Sequence, residues 1–134
     1  MPQKVLIVDD YDDIRQVMTV MLGICGCEVV EAKDGYEAVE KAIEEVPDLI
    51  LMDIGLPILD GLDATIAIRQ HAELADIPIV AISAYGEFYQ EKAIAAGCNE
   101  LIQKPLDFDE LPYLIERYTH HSGGEAYTEA PKII

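Results

Sequence analysis

Lys4-Val5-Leu6-Ile7-Val8-Asp9-Asp10 decides the fold of this chain: four apolar residues in an unbroken run, stopped by two carboxylates. Continuous apolar runs suit strands covered on both faces, as in a parallel sheet, whereas half-exposed strands alternate. Further short runs follow at 27–30, 49–52, 77–82 and 101–103. Between them the spacing turns helical. Ile14, Val17, Met18, Met21 and Leu22 predict one buried stripe, and Ala38, Val39, Ala42, Ile43 and Val46 a second. Asp34 precedes that second helix as its N-cap, with Glu37 three residues on. Leu62, Ile66 and Arg69 mark a third helix. Residues 87–96 carry a thinner stripe of Tyr89, Ala93 and Ala96 and stop at Gly97. Leu111, Leu114, Ile115 and Tyr118 mark a fifth, where Pro112 predicts an irregular first turn. Five βα units joined by right-handed crossovers give an α/β fold, a doubly wound parallel sheet with helices on both faces.

The rest of the composition narrows the class. At 134 residues the chain is one domain, with 51% hydrophobic residues to fill a core. Nine Lys+Arg against 26 Asp+Glu leave a net charge of −17, which repels phosphate backbones and anionic headgroups and favours cations or basic protein faces. No direct binding to nucleic acid or membrane is expected. Cys25, Cys27 and Cys98 cannot make a paired framework and lack metal-ligand spacing; Cys25 and Cys27 are expected as small buried fillers at a helix-to-strand junction. With no signal-peptide core and no long apolar span, the expected location is the cytoplasm. Periodicity stops near Thr119, so residues 1–118 are expected as the domain and 119–134 as a flexible tail, His120 and His121 included, with no output domain behind it.

Ligands of such sheets bind beyond the carboxyl ends of the strands. There the first run ends in Asp9-Asp10, the third in Asp53, the fourth in Ser83 and the fifth in Lys104. Converging carboxylates about 5 Å apart repel by about 3 kcal/mol per pair at an effective dielectric near 20, so the site calls for a cation. Oxygen ligands without Cys or His select a hard ion, Mg²⁺ or Mn²⁺. Asp53, alone on the middle strand, is then a candidate nucleophile toward phosphorus. Lys104 would neutralise a phosphoryl oxygen and Ser83 would donate a hydrogen bond to another, the positioning and charge neutralisation that phosphoryl transfer needs.

Those residues, with the segment Leu51-Met52-Asp53-Ile54-Gly55-Leu56-Pro57-Ile58-Leu59-Asp60-Gly61, Ile82-Ser83-Ala84 and Lys104-Pro105, resemble the receiver domain of bacterial two-component response regulators of the stand-alone type. The resemblance covers roughly Lys4 to Tyr118. It implies a flavodoxin-like (βα)5 fold with strand order 2-1-3-4-5, and a signalling phosphoacceptor rather than an enzyme acting on other substrates. It makes Asp53 the phosphoacceptor. Asp10, Asp53 and the Gly55 carbonyl are implied as metal ligands, with Asp9 ligating through water, Ser83 and Lys104 touching the phosphoryl group, and the Lys104-Pro105 bond cis. The implied phosphodonor is a phosphohistidine on a sensor histidine kinase or a histidine phosphotransfer protein. The implied output is a protein partner on the face of helix four, strand five and helix five. Two positions depart from the pattern: Leu101 stands where a Tyr or Phe usually swings inward on activation, and Leu56 replaces a common Met of similar volume. Gly61 after Asp60 is expected in a turn needing positive φ.

Three other readings compete. A flavin-binding electron carrier would need a phosphate-cradling loop after strand one, where Asp9-Asp10-Tyr11-Asp12-Asp13 would repel it. An aspartyl-phosphate phosphatase would carry its nucleophile after the first strand and a second Asp two residues on, where Asp53 is followed by Gly55. A receiver-like module that works by docking alone keeps Leu101 but wastes the intact acidic pair, Asp53, Ser83 and Lys104.

Overall fold

The computed structural model describes residues 2–56 and 59–119. In chain order the elements are β1 Lys4–Val8, α1 Asp12–Ile24, β2 Glu28–Ala32, α2 Gly35–Glu45, β3 Leu49–Asp53, α3 Gly61–Arg69, β4 Ile79–Ser83, α4 Gly86–Ala96, β5 Glu100–Gln103 and α5 Leu111–Thr119. All strand pairs are parallel, and the sheet order is β2-β1-β3-β4-β5. The fold expected from the apolar runs is the fold present. Residues 120–134 of the expected tail, with both of its histidines, lie outside the described residues.

The continuous runs are continuous because both faces of the sheet are covered. Leu6, Val8, Ile50, Met52, Ile79 and Ala81 pack with Ala38, Ala42, Ala64, Ile68 and Ala93 of α2, α3 and α4. Val5, Ile7, Leu49, Leu51, Val80 and Ile82 pack with Met18, Leu22, Leu111, Leu114 and Ile115 of α1 and α5. Each fully buried Leu, Ile or Val contributes roughly 1.5–3 kcal/mol, so two cores fix which side every strand residue faces. Among the described residues no helix is long and apolar enough to cross a membrane.

The helix stripes are narrower than their spacing predicts. On α1 only Met18 and Leu22 are buried, while Ile14 and Val17 are exposed; on α2 Ala38 and Ala42 are buried and Ile43 is exposed; Ile66 of α3 is exposed too. A helix lying on a flat sheet buries only the residues nearest the contact line. Cys25 is exposed and Cys27 half-buried, so the expected buried pair at that junction is not found; only Cys98 is buried. Gly61 does not take positive φ, which among the described glycines is confined to Gly26 and Gly97. Its requirement is space: a Cβ there would lie 2.4 Å from the Asp53 carbonyl oxygen. Asp34 caps α2 as expected, accepting from the Glu37 N–H at 2.8 Å. Pro112 is the second residue of α5, where its missing N–H has no helical partner to lose, and a 3₁₀ turn at Phe108–Glu110 leads into it.

Candidate functional site

Register brings the acids together. Val8 lies beside Met52 on neighbouring strands, so the next residues, Asp9 and Asp53, leave the sheet side by side. Both are buried, at 5% and 4% exposure, while Asp10 is exposed. Carboxylate oxygens of Asp9, Asp10 and Asp53 all lie within 4.8 Å of one another.

Every polar group of Asp9 but one is committed. Its N–H donates to the Ala32 carbonyl at 3.1 Å, fixing it to the end of β2. Its carbonyl accepts from Arg15 Nη1 at 2.8 Å, and its Oδ1 accepts from the Tyr11 N–H at 2.9 Å. Oδ2 takes no hydrogen bond among the described residues and is left for a ligand. Burial pushes the Asp9 carboxyl above its ordinary range; the Tyr11 N–H pulls it back, Asp53 pushes it up again, and Lys104 and Asp10 act more weakly in opposite senses.

Asp53, the last residue of β3, accepts from the Gly55 N–H at 3.0 Å through Oδ1 and faces Lys104 Nζ at 3.4 Å through Oδ2. The lysine arrives from the loop after β5, whose start is pinned by a Lys104 N–H to Ser83 carbonyl bond of 2.8 Å and continues through a cis Lys104–Pro105 peptide. Ser83 is buried at the end of β4, and its Oγ accepts from the Tyr85 N–H at 2.9 Å. An oxygen that accepts there keeps its own proton for another acceptor. Gly55 is exposed, and a side chain there would begin 3.9 Å from Asp53 Oδ1. Tyr85 stands 70% exposed at the head of α4. Leu101 is half-buried against the core on the α4 side.

The donor set is three carboxylates without sulfur or imidazole, and it fits a hard divalent cation. Three negative charges against one lysine leave the pocket short of positive charge, and such a cation would supply it. Beside it, a groove of about 540 Å³ lined mainly by Tyr11, Ile14, Leu106 and Phe108 opens onto Asp9 and Lys104.

A family model for the response regulator receiver domain matches residues 5–116. The chain belongs to that family. Receiver-domain response regulators are signalling proteins of two-component systems. The chain is 45% identical over 121 residues to the hybrid signal transduction histidine kinase G of Dictyostelium discoideum, covering 86% of this chain but only 4% of that protein. It is 34% identical to the polar-differentiation response regulator DivK of Brucella anthropi, over 88% of this chain and 97% of DivK. Among solved structures, the receiver domain of the sensor histidine kinase PA1611 from Pseudomonas aeruginosa aligns with TM-score 0.83 and 34% identity, over 90% of this chain and 99% of that one, and carries a magnesium ion in its active site cleft.

Of the residues picked out at the strand ends, Asp9, Asp10 and Asp53 bring carboxylate oxygens within 4.8 Å of one another and Lys104 pairs with Asp53, while Ser83 ends β4 with its carbonyl on the Lys104 N–H and the Gly55 N–H donates to Asp53. Two features escaped the sequence. Lys104 pairs directly with Asp53, and Arg15 grips the Asp9 backbone. The available signal for Arg15 was slight: it is the sole cation in α1, five residues beyond the acidic pair.

Proposed function

We propose that this chain is a phosphoacceptor response regulator in which Asp53 takes one phosphoryl group from a phosphohistidine on a kinase or phosphotransfer protein. The observation that carries the reading is the buried Asp53 carboxylate held between Lys104 at 3.4 Å and the Asp9–Asp10 pair. A carboxylate oxygen of Asp53 attacks phosphorus, the P–N bond to the donor imidazole breaks, and the imidazole leaves with its electron pair. Lys104 neutralises one phosphoryl oxygen, and the Ser83 hydroxyl donates to another. Asp10, Asp53 and the Gly55 carbonyl are the groups that would hold Mg²⁺, with Asp9 contributing through water; Mn²⁺ would suit the same oxygen donors. The bound metal supplies positive charge to the phosphoryl oxygens.

Within this reading the protein acts catalytically on itself alone, in the cytoplasm, and passes its signal to a protein partner through α4, β5 and α5. The domain runs from 1 to 118, with the tail beyond it. A net charge of −17 makes a basic protein face a better partner than nucleic acid or membrane.

The test is incubation with a small acyl phosphate and Mg²⁺, followed by intact-mass and peptide mass spectrometry. One added phosphoryl on Asp53, absent in Asp53→Asn and in the presence of chelator, is the expected result. An unmodified protein, or modification elsewhere, would overturn the proposal.

A further inference from the structure

Arg15 lies one turn into α1 and touches none of the carboxylates that would hold a cation, yet its side chain is only 13% exposed and each of its three guanidinium nitrogens donates a hydrogen bond. Nη1 donates to the Asp9 carbonyl at 2.8 Å, Nη2 to Asp12 Oδ1 at 2.6 Å and Nε to Glu31 Oε1 at 2.9 Å. Glu31, on β2, is itself held through its second oxygen by Thr19 Oγ1 at 3.0 Å. The fork therefore ties three segments together: the turn after β1, the first turn of α1 and the middle of β2.

We propose that Arg15 is a positioning residue for the divalent cation, acting by fixing the Asp9 backbone; the inference rests on the reading of Asp9, Asp10 and Asp53 as a cation site. Asp9 and Asp10 are adjacent, so the peptide that carries the Asp9 carbonyl also sets the direction of Asp10. With its N–H on Ala32, its carbonyl on Arg15 and Oδ1 on Tyr11, Asp9 can turn only Oδ2 toward an ion. Take away the Arg15 bond and that peptide is free to rotate, carrying both carboxylates with it. Groups that hold metal ligands from behind matter in this way, typically by tenfold to a hundredfold in metal affinity.

The rival reading makes Arg15 a counter-charge that merely relieves the repulsion among the acids. Geometry speaks against it: the guanidinium meets a carbonyl of Asp9, not its carboxylate, and its charge is already matched by Asp12 and Glu31. The two readings differ in sign. A counter-charge competes with the cation, so Arg15→Gln would bind Mg²⁺ more tightly and Arg15→Lys would bind as wild type does. A positioning fork is lost in both, because lysine is a point charge that cannot bridge three acceptors in a plane.

The experiment is calorimetric titration of the full chain with MgCl₂ at fixed ionic strength, with circular dichroism to show that each variant is folded. Arg15→Lys and Arg15→Gln should each raise the Mg²⁺ Kd by about tenfold. Glu31→Gln, a milder change that leaves Arg15 present but less firmly held, should raise it in the same direction by less, and it keeps the test alive should the Arg15 variants fail to fold. Arg69→Gln is the control for a purely structural arginine. Its guanidinium binds the Ile77, Gly97, Leu74 and Ala75 carbonyls and Asn99 at the opposite edge of the sheet. It should lower the melting temperature and leave the Kd unchanged. Wild-type affinity in Arg15→Lys, or tighter binding in Arg15→Gln, would overturn the inference. A wild-type chain that binds no Mg²⁺ would overturn the cation reading itself.

Discussion

Replacing Asp9 by asparagine removes one of two buried negative charges while keeping the shape and the oxygen that accepts from the Tyr11 N–H. Asp9 and Asp53 have carboxylate oxygens within 4.8 Å of each other. At an effective dielectric near 20 that separation corresponds to a repulsion of about 3 kcal/mol. Lys104, 3.4 Å from Asp53, offsets part of it by screening the pair. A net relief of roughly 1–2 kcal/mol remains, which for a chain of this size raises the melting temperature by about 5 °C. Asp9→Asn is therefore expected to be more stable than wild type in chelator at low salt, a gain from removing a residue at the functional centre.

The pH dependence fixes the cause. The folded-state Asp9 carboxyl titrates above its unfolded value, because of burial first and then the neighbouring acids. Between those two values the folded chain binds the extra proton, so wild type gains stability as pH falls through the raised value, and the variant does not. The variant's advantage should shrink as the solution is acidified. In saturating Mg²⁺ the variant's advantage should shrink, since a ligand at a hundred times its Kd adds about 2.7 kcal/mol to the wild type and less to a site that has lost the Asp9 charge. Melting curves followed by far-ultraviolet circular dichroism, with chelator or Mg²⁺ at neutral and mildly acidic pH, give all the comparisons. An Asp9→Asn protein no more stable than wild type in chelator would show that the acids do not repel as argued.

Ser83→Ala should leave phosphorylation of Asp53 measurable but nearly abolish phosphorylation-dependent partner binding, whereas Leu101→Ala, already half-buried and without a hydroxyl, should change it mildly; titrations with and without a phosphoryl mimic compare them, and equal uncoupling would refute the assignment. Tyr85→Ala should shorten the phosphorylated lifetime, since a bulky ring two residues beyond Ser83 is expected to obstruct attacking water and Gly55 has no side chain to orient it; a longer lifetime would refute it. Gly61→Ala should cost about 2 kcal/mol, since the new Cβ meets the Asp53 carbonyl at 2.4 Å, while Gly23→Ala in α1, with nothing within 4 Å, should stabilise by roughly 0.5–1 kcal/mol; denaturant midpoints measure both.

What could be read from the chain beforehand is what depends on residue type and spacing. The apolar runs gave the strands because both faces of the sheet are covered, and the polar residue closing each run marked the site because parallel strands present their carboxyl ends to one edge. What depends on distances between remote segments stayed hidden. Spacing located the apolar side of α1 but not how little of it the sheet covers, so Ile14 and Val17 were expected inside and lie outside. Gly61 was legible as a glycine but not in its reason, since the close pass of α3 over the end of β3 leaves no trace in local conformation. Arg15 was illegible because its partner of interest is a backbone carbonyl, a group every residue has.

The charges of the site set what the proposed reaction requires. Asp9, Asp10 and Asp53 against Lys104 leave a pocket with two net negative charges beside an apolar groove. A phosphoryl group arriving there brings further negative charge into surroundings where like charges at 4–5 Å cost about 3 kcal/mol per pair. Lys104 supplies one positive charge against three carboxylates, so further neutralisation of the acids would ease the arrival of the phosphoryl group. A divalent cation held by Asp9, Asp10 and Asp53 would bring the pocket to neutrality and leave Lys104 to serve the transferring group. The Lys104–Asp53 contact of 3.4 Å already places the lysine at the nucleophile, so its remaining donors would be within reach of a phosphoryl oxygen carried by Asp53.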